Sequence, residues 1–184
     1  AVVVVVVATT VAASESLMSA AVRARGVRVD FVGTNVRFEN PYTAEPDEGA
    51  DDVPSWVKAT DMDHNGYSGW GADDVLKVLS PLLAVLAHTP PDVVLVHLGT
   101  NDLSWKSRSV HATAATLGEL VAQLHAALPN AVVLLAQLVP SRSAARPLAA
   151  NVVALNRLIG GGELGKQTAL VEQLLASRHV RIVD

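Results

Sequence analysis

Two short segments carry residue types that suit acyl chemistry. One is His97-Leu98-Gly99-Thr100-Asn101-Asp102, directly after an apolar run, and the other is Asp63-His64-Asn65-Gly66-Tyr67-Ser68-Gly69-Trp70 upstream of it. Gly99 permits a tight turn where a buried strand should stop, and Asn101 offers a side-chain amide donor at the edge of the sheet. Gly69, between Ser68 and Trp70, offers a backbone N–H that a ligand can approach closely. Donors of this kind, fixed in advance around one point, stabilise the oxyanion of a tetrahedral acyl intermediate. Each segment also has a plainer use. An asparagine at a strand end bonds its own backbone in a turn, and Tyr-Ser-Gly-Trp makes an ordinary glycine turn. The chemical reading therefore depends on whether the fold brings the two together.

The elements that would do so alternate along the chain. Val2 to Val7 is a run of β-branched residues suited to a central strand covered on both faces. Leu17, Ala20, Ala21 and Ala24 then recur at helical spacing, with Ser14 or Ser16 to cap the start and Gly26 to end it. VRVDFVG reads as the second strand, and strand, helix, strand in this length is a right-handed βαβ unit. From Thr34 to about Thr60 the sequence is acidic and turn-rich, a long surface loop that is either a functional rim or a solvated insertion. Asp73 and Asp74 sit at the mouth of a helix running to about Ala87, where the dipole favours them. Asp92 to Leu98 is the third strand, about Thr113 to Leu128 a helix, and AVVLLAQLV the fourth strand. Ala144 to Ile159 is another helix. After a GGGELG break come a helix from about Gly165 to Ser177 and a last strand, HVRIVD. The alternation predicts an α/β protein with a parallel sheet of about five strands and helices on both faces. Ligands of such sheets bind beyond the carboxyl ends of the strands, near the switch point. That rule selects the loop after the first strand, the segment before the second helix and Gly-Thr-Asn-Asp.

Composition narrows the function. The 184 residues suit one domain, with no repeat and no linker long enough to divide it. Half are hydrophobic but only 4% aromatic, so Val, Leu and Ala must fill the core. A net charge of −4 with scattered basic residues gives no footprint for nucleic acid or an anionic membrane. There is no cysteine, which excludes disulfides, thiolate nucleophiles and Cys-bound zinc. No histidine pair has metal-ligand spacing, so neither a metal nor another cofactor is expected. The opening AVVVVVVATTVAAS resembles the tail of a signal peptide but lacks a basic start, and is too short to span a bilayer; a buried strand fits it better. Localisation and oligomeric state are not fixed by these features.

The order of Asp30–Gly33 (DFVG), Asp63–Trp70 (DHNGYSGW), Pro91–Leu103 (PDVVLVHLGTNDL), Leu135–Ser141 (LAQLVPS) and Val180–Asp184 (VRIVD) resembles the SGNH, or GDSL, hydrolase superfamily. It is most similar to the carbohydrate-esterase branch that includes family 3 acetylxylan esterases. The resemblance implies a three-layer α/β/α, flavodoxin-like fold and metal-free ester hydrolysis by a Ser-His-Asp arrangement. It also implies an oxyanion hole built from the nucleophile's own N–H, a glycine N–H and an asparagine side chain. The glycine falls on Gly69 and the asparagine on Asn101, with Gly99 completing Gly-x-Asn-Asp and Asp102 bracing the loop. Tyr67, Trp70, Gly99 and His64 would border the substrate, a small-molecule or carbohydrate ester, and secretion is compatible with the family.

Two family motifs have no counterpart here. Where Gly-Asp-Ser-(Leu or Ile) should follow the first strand, the chain has Val7-Ala8-Thr9-Thr10-Val11. Thr10 is the nearest hydroxyl at the matching offset, either a nucleophile activated by an adjacent base or an ordinary turn threonine. No Asp-x-x-His follows the last strand, where the family carries it, so the chain reads as a single SGNH-like domain lacking the C-terminal catalytic loop and helix. His64 fits a rim or a turn, and His97 a hydrogen-bonded core position. Two functions follow: an esterase for O-acyl, above all O-acetyl, esters, or an impaired SGNH module that binds carbohydrate or acyl ligands without turnover. A phosphate site at the GGGELGK run is disfavoured, because the run follows a helix and Gln167 stands where Ser or Thr is needed.

Overall fold

β-Branched side chains lose freedom in a helix and fit the pleat of a sheet, and the valine run does form a strand, β1 (Val2–Ala8). The structure, a computed structural model, describes residues 2–8, 29–33, 65–67, 69–140, 147–160 and 180–183. The other strands are β2 (Val29–Val32), β3 (Asn65–Gly66), β4 (Val93–His97), β5 (Val132–Ala136) and β6 (Val180–Val183). All pair in parallel, in the order β2-β1-β4-β5-β6, with β3 added beside β1. The five expected strands thus form the main path, and a two-residue sixth strand joins them. β4 occupies one flank of β1 through Ala8, so β3 must lie on the flank that β2 leaves vacant beyond Val5.

Four helices lie among the described residues: α1 (Ala72–Leu86), α2 (Thr100–Leu103), α3 (Val110–Ala127) and α4 (Leu148–Gly160). Their apolar stripes bury Val75, Leu79, Leu120, Leu124, Leu155 and Ile159 in one core with Val94 and Val96 of β4 and Val133 and Leu135 of β5. The alternation along β4 and β5, every second residue buried, orients one sheet face toward these helices. The expected helices at 14–26 and 165–177 and the loop from Thr34 to Thr60 lie outside the described residues.

Three boundaries differ from the sequence reading, each for a local reason. Gly-Thr-Asn-Asp opens the single-turn helix α2 instead of remaining a loop, with Leu103 N–H donating to Gly99 C=O at 3.1 Å. Helix α3 starts three residues early because the Ser109 hydroxyl accepts from Ala112 N–H at 3.1 Å. β5 stops at Ala136, short of Val139, because the Asn156 side chain claims the backbone of Leu138. Its Oδ1 accepts from Leu138 N–H and its Nδ2 donates to Leu138 C=O, both at 2.8 Å.

Candidate active site

The register of β1 assembles the site. Ala8, the last residue of β1, is paired with Gly66 on one side and with His97 on the other. Three strand ends therefore stand side by side at the switch point, where the chain has placed β2 to one flank and β4, β5 and β6 to the other. The segments beginning at Tyr67 and Leu98 leave from this edge, at which β1 also ends.

Beyond β3, Trp70 N–H donates to Tyr67 C=O at 3.2 Å, closing a turn with Gly69 at its third position. Gly69 has φ +77°, the left-handed value that a type II turn requires there and that glycine adopts without strain. The Tyr67 and Trp70 rings stack with centroids 4.6 Å apart and an interplanar angle of 16°, and both pack on the core. No hydrogen bond among the described residues uses the Gly69 N–H.

Beyond β4, Gly99 takes φ +121°, and a Cβ there would lie 3.1 Å from Leu155 Cδ2. This turn swings Asn101 toward the Tyr67–Trp70 turn, where its Nδ2 donates to Trp70 C=O at 2.9 Å. An amide NH₂ carries two hydrogens, so one donor of Asn101 remains. Asp102, fully buried, accepts from Ala72 N–H at 2.8 Å through Oδ2. It braces two loops, satisfying one of the unpaired N–H groups at the start of α1.

Around this brace lies an ionic cluster that the sequence reading missed. Lys106 Nζ pairs with Asp74 Oδ2 and, at 3.2 Å, with Asp73 Oδ1. Arg108 Nη1 lies 3.0 Å from Asp73 Oδ2, and its Nε lies 3.8 Å from Asp102 Oδ1. Asp74 also reaches back to Gly71 N–H at 2.9 Å, so the helix start is held by its third residue while Gly71 contributes no side chain. A Cβ on Gly71 would stand 2.9 Å from Asp102 Oδ1, Asp73 Oδ1 and Lys106 Cδ, so only glycine leaves room for the cluster. The signal was present as Gly71 before two aspartates and as Lys106 and Arg108 after Gly-Thr-Asn-Asp. Their pairing needs the fold.

Burial pushes the Asp102 carboxyl above its ordinary pKa, although Ala72 N–H and Arg108 work in the other direction. For Asp73 and Asp74 burial also acts upward, but the hydrogen bonds from Lys106 outweigh it and both carboxyls are lowered. The histidine expected in the core, His97, closes β4 partly buried, and burial lowers its pKa. Of the residues singled out from sequence, Gly69, Trp70, Tyr67, Gly99 and Asn101 are brought to one edge. Thr10, His64 and Ser68 lie outside the described residues. Among the described residues no group of three His, Asp or Glu side chains could hold a metal ion, and no helix is long and apolar enough to cross a membrane.

Residues 32–171 match the GDSL-like lipase/acylhydrolase family. The chain belongs to this family. As an SGNH-type acylhydrolase it shares its fold with solved carbohydrate esterases. A family 3 carbohydrate esterase from Talaromyces cellulolyticus is 24% identical, with a TM-score of 0.68 over 100% of this chain and 78% of that one. An acetyl esterase, crystallised as a mutant with acetate ion, is 25% identical, with a TM-score of 0.72 over 100% of this chain and 79% of that one. A family 3 carbohydrate esterase from Clostridium thermocellum is 22% identical, with a TM-score of 0.68 over 99% and 77%. A comparison with curated protein sequences found no match. The three-layer α/β/α SGNH fold and the carbohydrate-esterase likeness inferred from the motifs both stand, and the family makes ester hydrolysis the acylhydrolase's class of activity.

Proposed function

We propose that this acylhydrolase acts on O-acyl, chiefly O-acetyl, esters of carbohydrates or small molecules, with Gly69 N–H and the free Nδ2–H of Asn101 as oxyanion donors. The observation that carries the reading is the 2.9 Å hydrogen bond from Asn101 Nδ2 to Trp70 C=O. It brings a half-used amide to the turn whose glycine N–H is unspent. As the carbonyl carbon becomes tetrahedral, its oxygen gains charge, and donors already in place bind that charge more tightly than the ground-state carbonyl. Asp102 takes no part in proton transfer in this reading; its oxygens hold the α1 and α2 termini in register. The resemblance of the fold to an acetyl esterase with acetate supports the acetyl group as first choice. Thr10 remains the nucleophile position offered by the sequence.

The test is hydrolysis of an activated acetate ester by the native chain and its Asn101→Ala variant. Removal of one such donor should lower turnover by about 10²–10³-fold, while loss of the hydrogen bond to Trp70 C=O should cost only about 1 kcal/mol of stability. Undiminished turnover in Asn101→Ala would overturn the assignment. Thr10→Ala in the same assay decides whether that hydroxyl is the nucleophile.

A further inference from the structure

Tyr67 and Trp70, the aromatic residues expected to border the substrate, each spend one face on the other and pack on the core. Trp105 is different. It follows the residue that caps α2, and it is 55% exposed. The other large apolar side chains exposed among the described residues, Val85, Val139 and Val153, are aliphatic and have no flat face.

The position of the Trp105 ring is fixed by its neighbour. Lys106 N–H donates to Asn101 C=O at 3.2 Å, so Trp105 belongs to the same turn as Asn101. Lys106 Nζ lies 5.3 Å above the centre of the Trp105 ring while it pairs with Asp73 and Asp74 at the mouth of α1. One ammonium group thus pins the indole beside the helix that starts just past Gly69 and Trp70. Lys106 takes one face of the ring, and the exposed area is left for a ligand. The charges nearby cancel: Asp73, Asp74 and Asp102 face Lys77, Lys106 and Arg108. An aromatic face in a charge-balanced rim suits a neutral ring with an apolar side, as the C–H face of a pyranose has, better than an anion.

On the reading of the site given above, we infer that Trp105 is a specificity-determining residue, a stacking platform for the sugar ring that carries the ester. An acetyl group held at Gly69 and Asn101 then has its carbohydrate portion directed along α2 onto the indole.

Two ligands separate this inference from the reading it rests on: O-acetylated xylotetraose, which has sugar rings, and triacetin, which has none. Binding of each to the full chain is followed by saturation of the initial rate of acetate release where the ligand is turned over and by nuclear magnetic resonance titration where it is not, for the native protein, Trp105→Ala and Trp105→Phe. The expected result is a loss of about tenfold in oligosaccharide affinity in Trp105→Ala, partial recovery in Trp105→Phe and unchanged triacetin binding. Equal oligosaccharide affinity in Trp105→Ala overturns the role of Trp105. So does a native protein that binds triacetin alone, an outcome that leaves the acyl site standing. A native protein that binds neither ligand overturns the acyl site and the platform together.

Discussion

Asp102 sits between the two loops of the candidate site, and its substitutions separate geometry from charge. Asp102→Ala leaves Ala72 N–H without its acceptor and Arg108 without its buried partner. Stranding a buried donor should cost about 1–3 kcal/mol in urea unfolding. Asp102→Asn keeps an oxygen for Ala72 and removes a carboxylate that burial disfavours, so its loss should be clearly smaller. Equal losses in the two variants would mean that the charge is what matters. That Asp102 braces the loop was implied by the resemblance of Gly-Thr-Asn-Asp to the family motif. The cluster about Asp102 was not. A lysine and an arginine near a strand end look like solvated surface until the fold sets two aspartates against them.

At the scale of elements, the contact between the start of α1 and the segment that follows α2 is electrostatic, and it has a pH signature. Asp73 and Asp74 have folded pKa values below the unfolded ones because Lys106 outweighs burial. Their contribution is therefore fully present above the ordinary carboxylate range and is lost as pH falls through the lowered folded values. The partly exposed setting limits it to about 1 kcal/mol. The melting temperature of an Asp73→Asn, Asp74→Asn double variant should fall below that of the native protein near neutral pH, and the gap should close toward about pH 2. A gap that persists in acid would assign the effect to packing. Helical periodicity and runs or alternations of β-branched residues identified α1, α3, α4 and the five strands of the main path. They missed β3 and α2, of two and four residues, since elements this short are fixed by what lies beside them. β3 exists because β2 ends and leaves the flank of β1 unpaired beyond Val5.

For the whole molecule, the sheet order makes the candidate site an outgrowth of the central strands. β4 is paired on both flanks, whereas β2 and β6 end the main path of the sheet. Amide hydrogen exchange should be slowest in β4, at Val94 and Val96 above all, and faster in β2 and β6. Comparable rates in β4 and β6 would contradict this topology. The parallel arrangement and the switch point were readable from the alternation of strands and helices, because few other arrangements bury such apolar strands. Which neighbouring helix would touch the site was not readable, and α4 supplies the case. Leu155 fills the space against Gly99, and the next residue, Asn156, holds both backbone groups of Leu138. Two consecutive side chains of one helix thus set the exits of β4 and β5 at once, from behind the site and without facing it. Helix α4 works like the reference stop of an instrument. A slightly larger side chain at position 155 should displace the Asn101 amide while leaving every residue of the candidate site the same in kind.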